Sequence, residues 1–230
     1  MSRLDLIRDE SGTTLLELLV AIAAGTVVIF GISLAVIVTL RETDRVASHV
    51  DANQRARVTM TKIMNELHSA CVAPQISPVR EKSSETLLAF WHQTGSEVAP
   101  TPILSKISLS GTTLSQSDYA SNGGAAPNWT FSETTPTSTV QLMNNVSVIP
   151  GIPLFRYYAY NSGHVSATSV TTPLTTESAR SVVQVNVAFQ TAPQSTPLVD
   201  AKAKTGIQSA ALLRLTPPSY SSTASNLPCQ

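Results

Sequence analysis

The sequence predicts an α+β fold in which one long N-terminal α-helix packs on a mainly antiparallel β-sheet. Three observations predict it. Residues 18–40 carry no charge, and residues 41–71 contain no glycine or proline and repeat apolar side chains at helical spacing. From Ser77 onward the chain consists of short β-like runs separated by Ser, Thr, Pro and Gly, a pattern typical of antiparallel strands.

The first element is a polar leader, residues 1–12, which is followed by an apolar segment, residues 13–40, whose one charge is Glu17. A helix of that length crosses the ~30 Å hydrocarbon core of a membrane. A secretory signal peptide is the competing interpretation. Signal peptides have an apolar core of about 7–15 residues followed by a small-residue cleavage site, and this segment has neither feature. We therefore expect a transmembrane half of the helix at residues 13–40.

The helix is expected to continue as an amphipathic half over residues 41–72 and to end before Pro74, because proline cannot continue a helix. Its apolar residues follow the i, i+3, i+4, i+7 spacing of a one-sided helix. They are Val46, Val50, Ala56, Met60, Ile63, Met64, Leu67, Ala70 and Cys71. This stripe is predicted to cover the sheet.

The remaining chain divides into a β-rich head, residues 73–216, and a Ser/Pro-rich tail, residues 217–230. The runs that predict strands are Thr86–His92, Ile103–Leu109, Thr112–Leu114, Thr139–Met143, Val146–Ile149, Leu154–Tyr160, Val182–Phe189 and Ala211–Leu215. Of these, Val182–Phe189 alternates apolar and polar residues most regularly, as a half-buried strand does. The segment from Ser115 to Thr139 is rich in Ser, Thr and Gly and predicts a long exposed loop.

Charge and motif content exclude several classes of function. The formal net charge is zero, so the chain has no basic surface of the kind that binds nucleic acid. The four histidines show no metal-ligand spacing with the cysteines or the acids, and no phosphate-binding loop or nucleophile motif is present. We expect no cofactor, no metal and no enzymatic activity. The sequence shows no set of catalytic residues that would support a membrane-anchored hydrolase.

The chain has two cysteines, Cys71 and Cys229. A disulfide between them would join the end of the helix to the end of the chain, and such bonds persist in oxidising compartments outside the cytoplasm. Two unpaired thiols are the alternative, and the sequence leaves both open.

The segment from Gly12 to Ile22, Gly-Thr-Thr-Leu-Leu-Glu-Leu-Leu-Val-Ala-Ile, resembles the processing site of type IV prepilins and pseudopilins. In that family a short leader ends in glycine, and a glutamate is the fifth residue of the mature chain. Gly12 and Glu17 match both positions. An Arg-bearing stretch, residues 54–67, also resembles the minor pilin and pseudopilin branch. The resemblance implies a pilin-like roll as the fold.

The resemblance also implies how the chain is processed. A prepilin peptidase in the membrane would cut between Gly12 and Thr13 and would methylate the new N-terminus. The family most often has Phe at this position, so the presence of threonine leaves N-methylation of Thr13 open. The mature chain would then join other pilins or pseudopilins through its N-terminal helix, with membrane lipid as its surroundings before assembly.

The position of Glu17 has a physical meaning of its own. A carboxylate just over one helical turn from the new N-terminus lies in a low-dielectric environment, where an unpaired ion costs several kcal/mol. The free amine at Thr13 of the same chain or of a neighbour supplies a cation. In the family this acid docks each incoming subunit. An unpartnered interfacial acid on an ordinary signal anchor is the alternative.

The expected function is therefore that of a structural subunit, a minor pilin or pseudopilin, of a type IV pilus or a type II secretion-like filament. The expected location is the cell (inner) membrane, crossed once with an extracytoplasmic head, and afterwards the pilus or pseudopilus at the cell surface. The alternative is a signal-anchored extracytoplasmic binding protein that does not polymerise. The sequence does not identify what the head binds, or distinguish adhesion, motility, DNA uptake and secretion.

Overall fold

The computed structural model describes residues 14–71, 78–96, 99–124, 129–193 and 204–213. The chain divides into two compact units, one ending at Val46 and one beginning at Ala47. Each unit is described by itself below. The predicted leader, residues 1–12, and the predicted tail, residues 217–230, lie outside the described residues.

Helix α1 runs from Leu15 to His68 and is 54 residues long. The part of α1 that belongs to the first unit is apolar as far as Leu40. The helix is long and apolar enough to cross a membrane. The prediction of a long apolar N-terminal helix is thereby confirmed. Nothing in its own unit covers this segment, since every residue from Leu15 to Leu40 is exposed except the half-buried Gly25.

The amphipathic half of α1 belongs to the second unit and forms part of its core. Its buried residues are Ala52, Ala56, Thr59, Met60, Ile63, Met64 and Leu67. The predicted stripe was placed correctly from Ala56 onward but was wrong at its start, because Val46 and Val50 are 60% and 49% exposed. These two positions fit the helical spacing, but no part of the head packs over them.

Helix α1 ends at His68, four residues before the predicted end near Val72. The backbone bonds to a strand instead of continuing the helix. Ala70 forms an antiparallel bridge with His92, and the Cys71 N–H donates to the Trp91 carbonyl at 3.0 Å. On the far side of positions 72–77, the Trp91 N–H donates to the Pro78 carbonyl at 2.7 Å. The two segments flanking positions 72–77 therefore both pair with one edge of the same strand.

The first sheet contains five strands, all paired antiparallel. They are β1 (Leu87–Ser96), β2 (Ala99–Ser110), β3 (Thr113–Gly123), β4 (Thr130–Phe131) and β5 (Ser138–Met143). The order is β1-β2-β3-β4, and β5 also pairs with β3. On the inner face, Leu88 lies opposite Ile107, and both are fully buried.

The second sheet also contains five antiparallel strands. They are β6 (Val146–Ser147), β7 (Phe155–Asn161), β8 (His164–Val165), β9 (Val182–Thr191) and β10 (Thr205–Leu212), and a short helix, α2 (Thr176–Ser181), precedes β9. The order is β10-β9-β7-β8, and β6 pairs with β9. On the inner face, Tyr157 pairs with Val185, which pairs with Ala211.

One core connects the amphipathic half of α1 with the inner faces of both sheets. The buried cluster includes Ile63 of α1, Phe90 of β1 and Phe189 of β9. Tyr157 also connects the sheets, because its hydroxyl donates to the carbonyls of Ser84 and Leu87, each at 3.0 Å. The prediction of antiparallel strands is confirmed, but the chain forms two sheets, whereas the sequence predicted one.

The prediction of an exposed loop from Ser115 to Thr139 is wrong for the first part of this segment, because β3 continues to Gly123. Its polar residues are held by partners on other strands. Gln116 is 3% exposed and lies opposite Ile107, and Asp118 lies opposite Ser105. The last strand also differs from its prediction, since β10 runs from Thr205 to Leu212.

Candidate assembly site on the N-terminal helix

Most of the exposed large apolar side chains of the described chain lie on the first unit. Between Leu15 and Leu40, the large apolar side chains that are exposed keep between 44% (Ile37) and 83% (Leu15) of their surface accessible. At ~1.5 Å per residue the segment is about 39 Å long. Soluble monomers rarely expose continuous apolar surface on this scale, which marks a membrane or protein contact.

The hydroxyl groups on this segment do not require an outside partner. Thr26 donates to the carbonyl of Ala23, Ser33 to that of Ile29 and Thr39 to that of Ala35, each at 2.8 Å. In an apolar helix, the hydroxyls of Ser and Thr usually donate hydrogen bonds to backbone carbonyls of the preceding turn. Among residues 15–40, Glu17 is the one ionisable side chain.

Glu17 is held in the first turn of α1 by the helix cap. The Thr14 hydroxyl accepts the Glu17 N–H at 3.3 Å, which is one half of a Thr-x-x-Glu capping box. Sequence reasoning missed the role of Thr14, although the spacing of Thr14 and Glu17 was visible. The carboxylate of Glu17 is exposed and has no hydrogen bond or ion pair with any described residue.

Two of the predicted site residues, Gly12 and Thr13, lie outside the residues that the structure describes. Cleavage between them and N-methylation of Thr13 therefore stay predictions. The described helix begins two residues after Thr13, at Leu15. Glu17 is the third residue of α1, a position where the helix dipole favours a negative side chain.

Cys71 lies three residues beyond the end of α1 and is 4% exposed. No cysteine is free among the described residues. Cys229 lies outside them, so the pairing of Cys71 with Cys229 stays a prediction.

The predicted disulfide has a direct chemical test. We expect a thiol-reactive maleimide to label neither cysteine in the denatured, unreduced chain and to label both after reduction. Reduction should also lower the free energy of unfolding by about 2–4 kcal/mol, which is typical for loss of one disulfide. Labelling of both thiols before reduction would contradict the bridge, provided that the chain is isolated without a reducing agent.

Among the described residues, no group of three or more His, Cys, Asp or Glu side chains is arranged to bind a metal ion. The expectation that the chain needs no metal or cofactor stays a prediction. Comparison with protein-family models, curated proteins and solved structures finds no match to this chain.

Proposed function

We propose that this chain is a structural subunit, a minor pilin or pseudopilin, of a type IV pilus or type II secretion-like filament. In this proposal the N-terminal helix anchors the chain in the cell (inner) membrane with the head outside the cytoplasm. A prepilin peptidase removes residues 1–12, and the mature subunit then joins the filament at the cell surface through the same helix. The proposed fold type is the pilin-like roll.

The observation that carries this proposal is the unpartnered carboxylate of Glu17 on an otherwise apolar, exposed helix surface. In lipid or inside a bundle of helices, an isolated carboxylate costs several kcal/mol unless a cation pairs with it. Within residues 15–40 the helix contains no Lys, Arg or His. The α-amine that cleavage releases at Thr13 is a cation at the right depth, on the same chain or on a neighbouring subunit.

The second unit supports the proposal from the other end of the helix. Ile63 and Leu67 of α1 are buried in the same core as strands β1 and β9. The head is therefore packed on the helix that would enter the filament. A filament built from such helices displays one head for each subunit, and the work of the protein is packing rather than catalysis.

The experiment that tests the proposal is determination of the mature N-terminus by mass spectrometry. We expect the native chain to begin at Thr13, with or without a methyl group on the amine. A chain that retains Met1 would contradict processing and favour the signal-anchored binding protein. The same N-terminal peptide shows whether Thr13 is methylated.

Replacement of Gly12 by leucine is expected to block maturation almost completely, because the peptidase of the family recognises a glycine at the end of the leader. The change is read as a shift from the shorter to the longer chain on a gel, with the N-terminal peptide confirmed by mass spectrometry. Ser11→Leu is the neighbouring control and should be cleaved. Normal cleavage of Gly12→Leu would contradict the proposed processing site.

A further inference from the structure

The second sheet ends in a strand with one unpaired side. Strand β10 (Thr205–Leu212) is first in the order β10-β9-β7-β8, and β9 is its one partner among the described strands. The side of β10 that faces away from β9 is called the open edge below. A strand edge of this kind presents backbone N–H and C=O groups that can pair with another chain.

The hydrogen bonds of β10 show which residues face the open edge. The Leu213 N–H donates to the Val183 carbonyl at 2.7 Å, one position beyond the pair of Leu212 with Gln184. Along an antiparallel strand, successive residues direct their backbone groups to opposite sides. Odd-numbered residues from 205 to 213 therefore bond to β9, and even-numbered residues face the open edge. These are Gly206, Gln208, Ala210 and Leu212, which are all exposed.

The other edges of the two sheets are short or covered. Strands β4, β6 and β8 contain two residues each. The outer edge of β1 is bonded to the segments Ser69–Cys71 and Pro78–Arg80. On β5, the Leu142 carbonyl accepts from the Thr59 hydroxyl of α1 at 3.4 Å. The backbone groups at the open edge of β10 have no hydrogen bond with any described residue.

Strand β10 also lacks the features that keep edge strands from pairing. Natural edges are usually interrupted by a charge, a proline or a bulge. Residues 205–212 include no charged residue and no proline, and their register with β9 has no shift. An uncharged edge offers nothing to select a charged peptide, but it matches an equally uncharged strand.

The open edge is complementary to a copy of itself. An antiparallel copy fits about a twofold axis with Ser209 of each chain opposite Ser209 of the other. In that register Gly206 lies opposite Leu212, and Gln208 lies opposite Ala210, so a larger side chain always meets a smaller one. The even-numbered residues of both chains then form hydrogen-bonded pairs, each of which exchanges two N–H···O bonds.

Leu212 gains an apolar contact in this arrangement. It is 40% exposed and would lie beside Gly206 of the second copy, which has no side chain. The Cδ1 atom of Ile149 lies 3.4 Å from the position that a Cβ atom on Gly206 would take. Leu212 of one chain would therefore lie close to Ile149 of the other, and burial of this leucine would stabilise the pair.

We propose that the open edge of β10 is a self-association surface, at which the heads of two copies of this chain form one continuous antiparallel sheet. The partner is a second copy of β10 in the register centred on Ser209. Because the same edge is used on both chains, the contact closes at two copies. The proposal concerns the head alone, and it does not depend on whether the chain polymerises through its N-terminal helix.

The register is tested by single cysteines in the full chain in detergent micelles. At Ser209 the two strands would form a non-hydrogen-bonded pair with Cα atoms about 4.5 Å apart, a distance that a disulfide spans. We expect mild oxidation to convert Ser209→Cys into a covalent dimer on a non-reducing gel. Mass spectrometry of the dimer should place the new bond at residue 209.

Gln208→Cys is the matched control, because Gln208 is on the same edge but lies opposite Ala210. The two copies of residue 208 would be diagonal neighbours, too far apart for a disulfide. We expect about 10-fold less cross-linking of this variant than of Ser209→Cys, since Cα atoms more than ~7 Å apart are not bridged. Absence of a Ser209→Cys dimer, or equal cross-linking of both variants, would overturn the proposal.

A proline distinguishes pairing of the strands from contact through the membrane segment. The Gln208 N–H faces the open edge, so Gln208→Pro leaves the ladder with β9 intact, and proline is accepted at such edge positions. Added to Ser209→Cys, it should abolish the cross-link while circular dichroism shows that the fold is kept. A cross-link that survives the proline would overturn the proposal. If the double variant does not fold, the comparison of cysteines at 208 and 209 decides.

Discussion

Replacing Glu17 with alanine is expected to leave cleavage after Gly12 intact but to reduce incorporation into filaments by about 100-fold or more. Removing one member of a buried ion pair costs about 3–5 kcal/mol, because the other charge is left without a partner, and each 1.4 kcal/mol is a factor of ten. The readout is the ratio of filament-bound to membrane-bound subunit in cells that make the other filament components. Cleavage is measured on the same samples.

The matched variant Glu17→Gln separates the charge of this residue from its place in the helix cap. Glutamine is accepted at the same position of a capping box, so the variant should keep the first helical turn and still fail to assemble. Glu42→Gln removes an acid from the same helix, but outside the apolar segment, and should assemble normally. Normal assembly of Glu17→Gln would refute pairing with an amine and leave capping as the role of Glu17.

Replacing Ile63 with alanine is expected to lower the free energy of unfolding of the head by about 2–5 kcal/mol. Ile63 is fully buried in the core that α1 shares with both sheets. A buried Ile→Ala change loses the transfer free energy of the deleted atoms and leaves a cavity. The measurement is urea unfolding of the full chain in detergent, followed by tryptophan fluorescence.

Val58→Ala is the control for this change, because Val58 is on the same helix but is 70% exposed. It should alter the free energy of unfolding by no more than about 0.5 kcal/mol. Equal effects of the two substitutions would show that helix α1 is not part of the folded head in solution. A large effect of Ile63→Ala alone is the result that the structure predicts.

The elements that the sequence predicted well are those whose signal is local. An uncharged run ending at Leu40 has few structures open to it other than a membrane-spanning helix. The alternation of Val183, Val185, Val187 and Phe189 likewise identified β9, which runs from Val182 to Thr191. In both cases neighbouring residues carry the information, so no knowledge of distant contacts was needed.

The extent of β3 was missed because its signal is not local. Ser115, Gln116, Ser117 and Asp118 resemble a solvated loop, yet Gln116 and Asp118 are stabilised by each other and by Ser105 of the neighbouring strand. That pairing depends on the register between β2 and β3, which the sequence does not state.

The candidate assembly site was predictable in part. Glu17 stands out because an acid in an apolar run is uncommon and usually functional, and the structure places it in the first turn of α1. The hydroxyls of Thr26, Ser33 and Thr39 donate to carbonyls of their own helix. These hydrogen bonds could be identified only from the structure, because they depend on side-chain rotamers. They matter because they leave the carboxylate of Glu17 as the side-chain polar group of residues 15–40 without a hydrogen bond to a described residue.

The backbone pairing at the end of α1 has a mechanical consequence. Two segments, Ser69–Cys71 and Pro78–Arg80, hydrogen-bond along one edge of β1. Ladder hydrogen bonds run across the strands, so tension directed along β1 would shear several of them together instead of peeling them apart singly. A pull on the end of helix α1 would therefore pass the load into the backbone of the sheet.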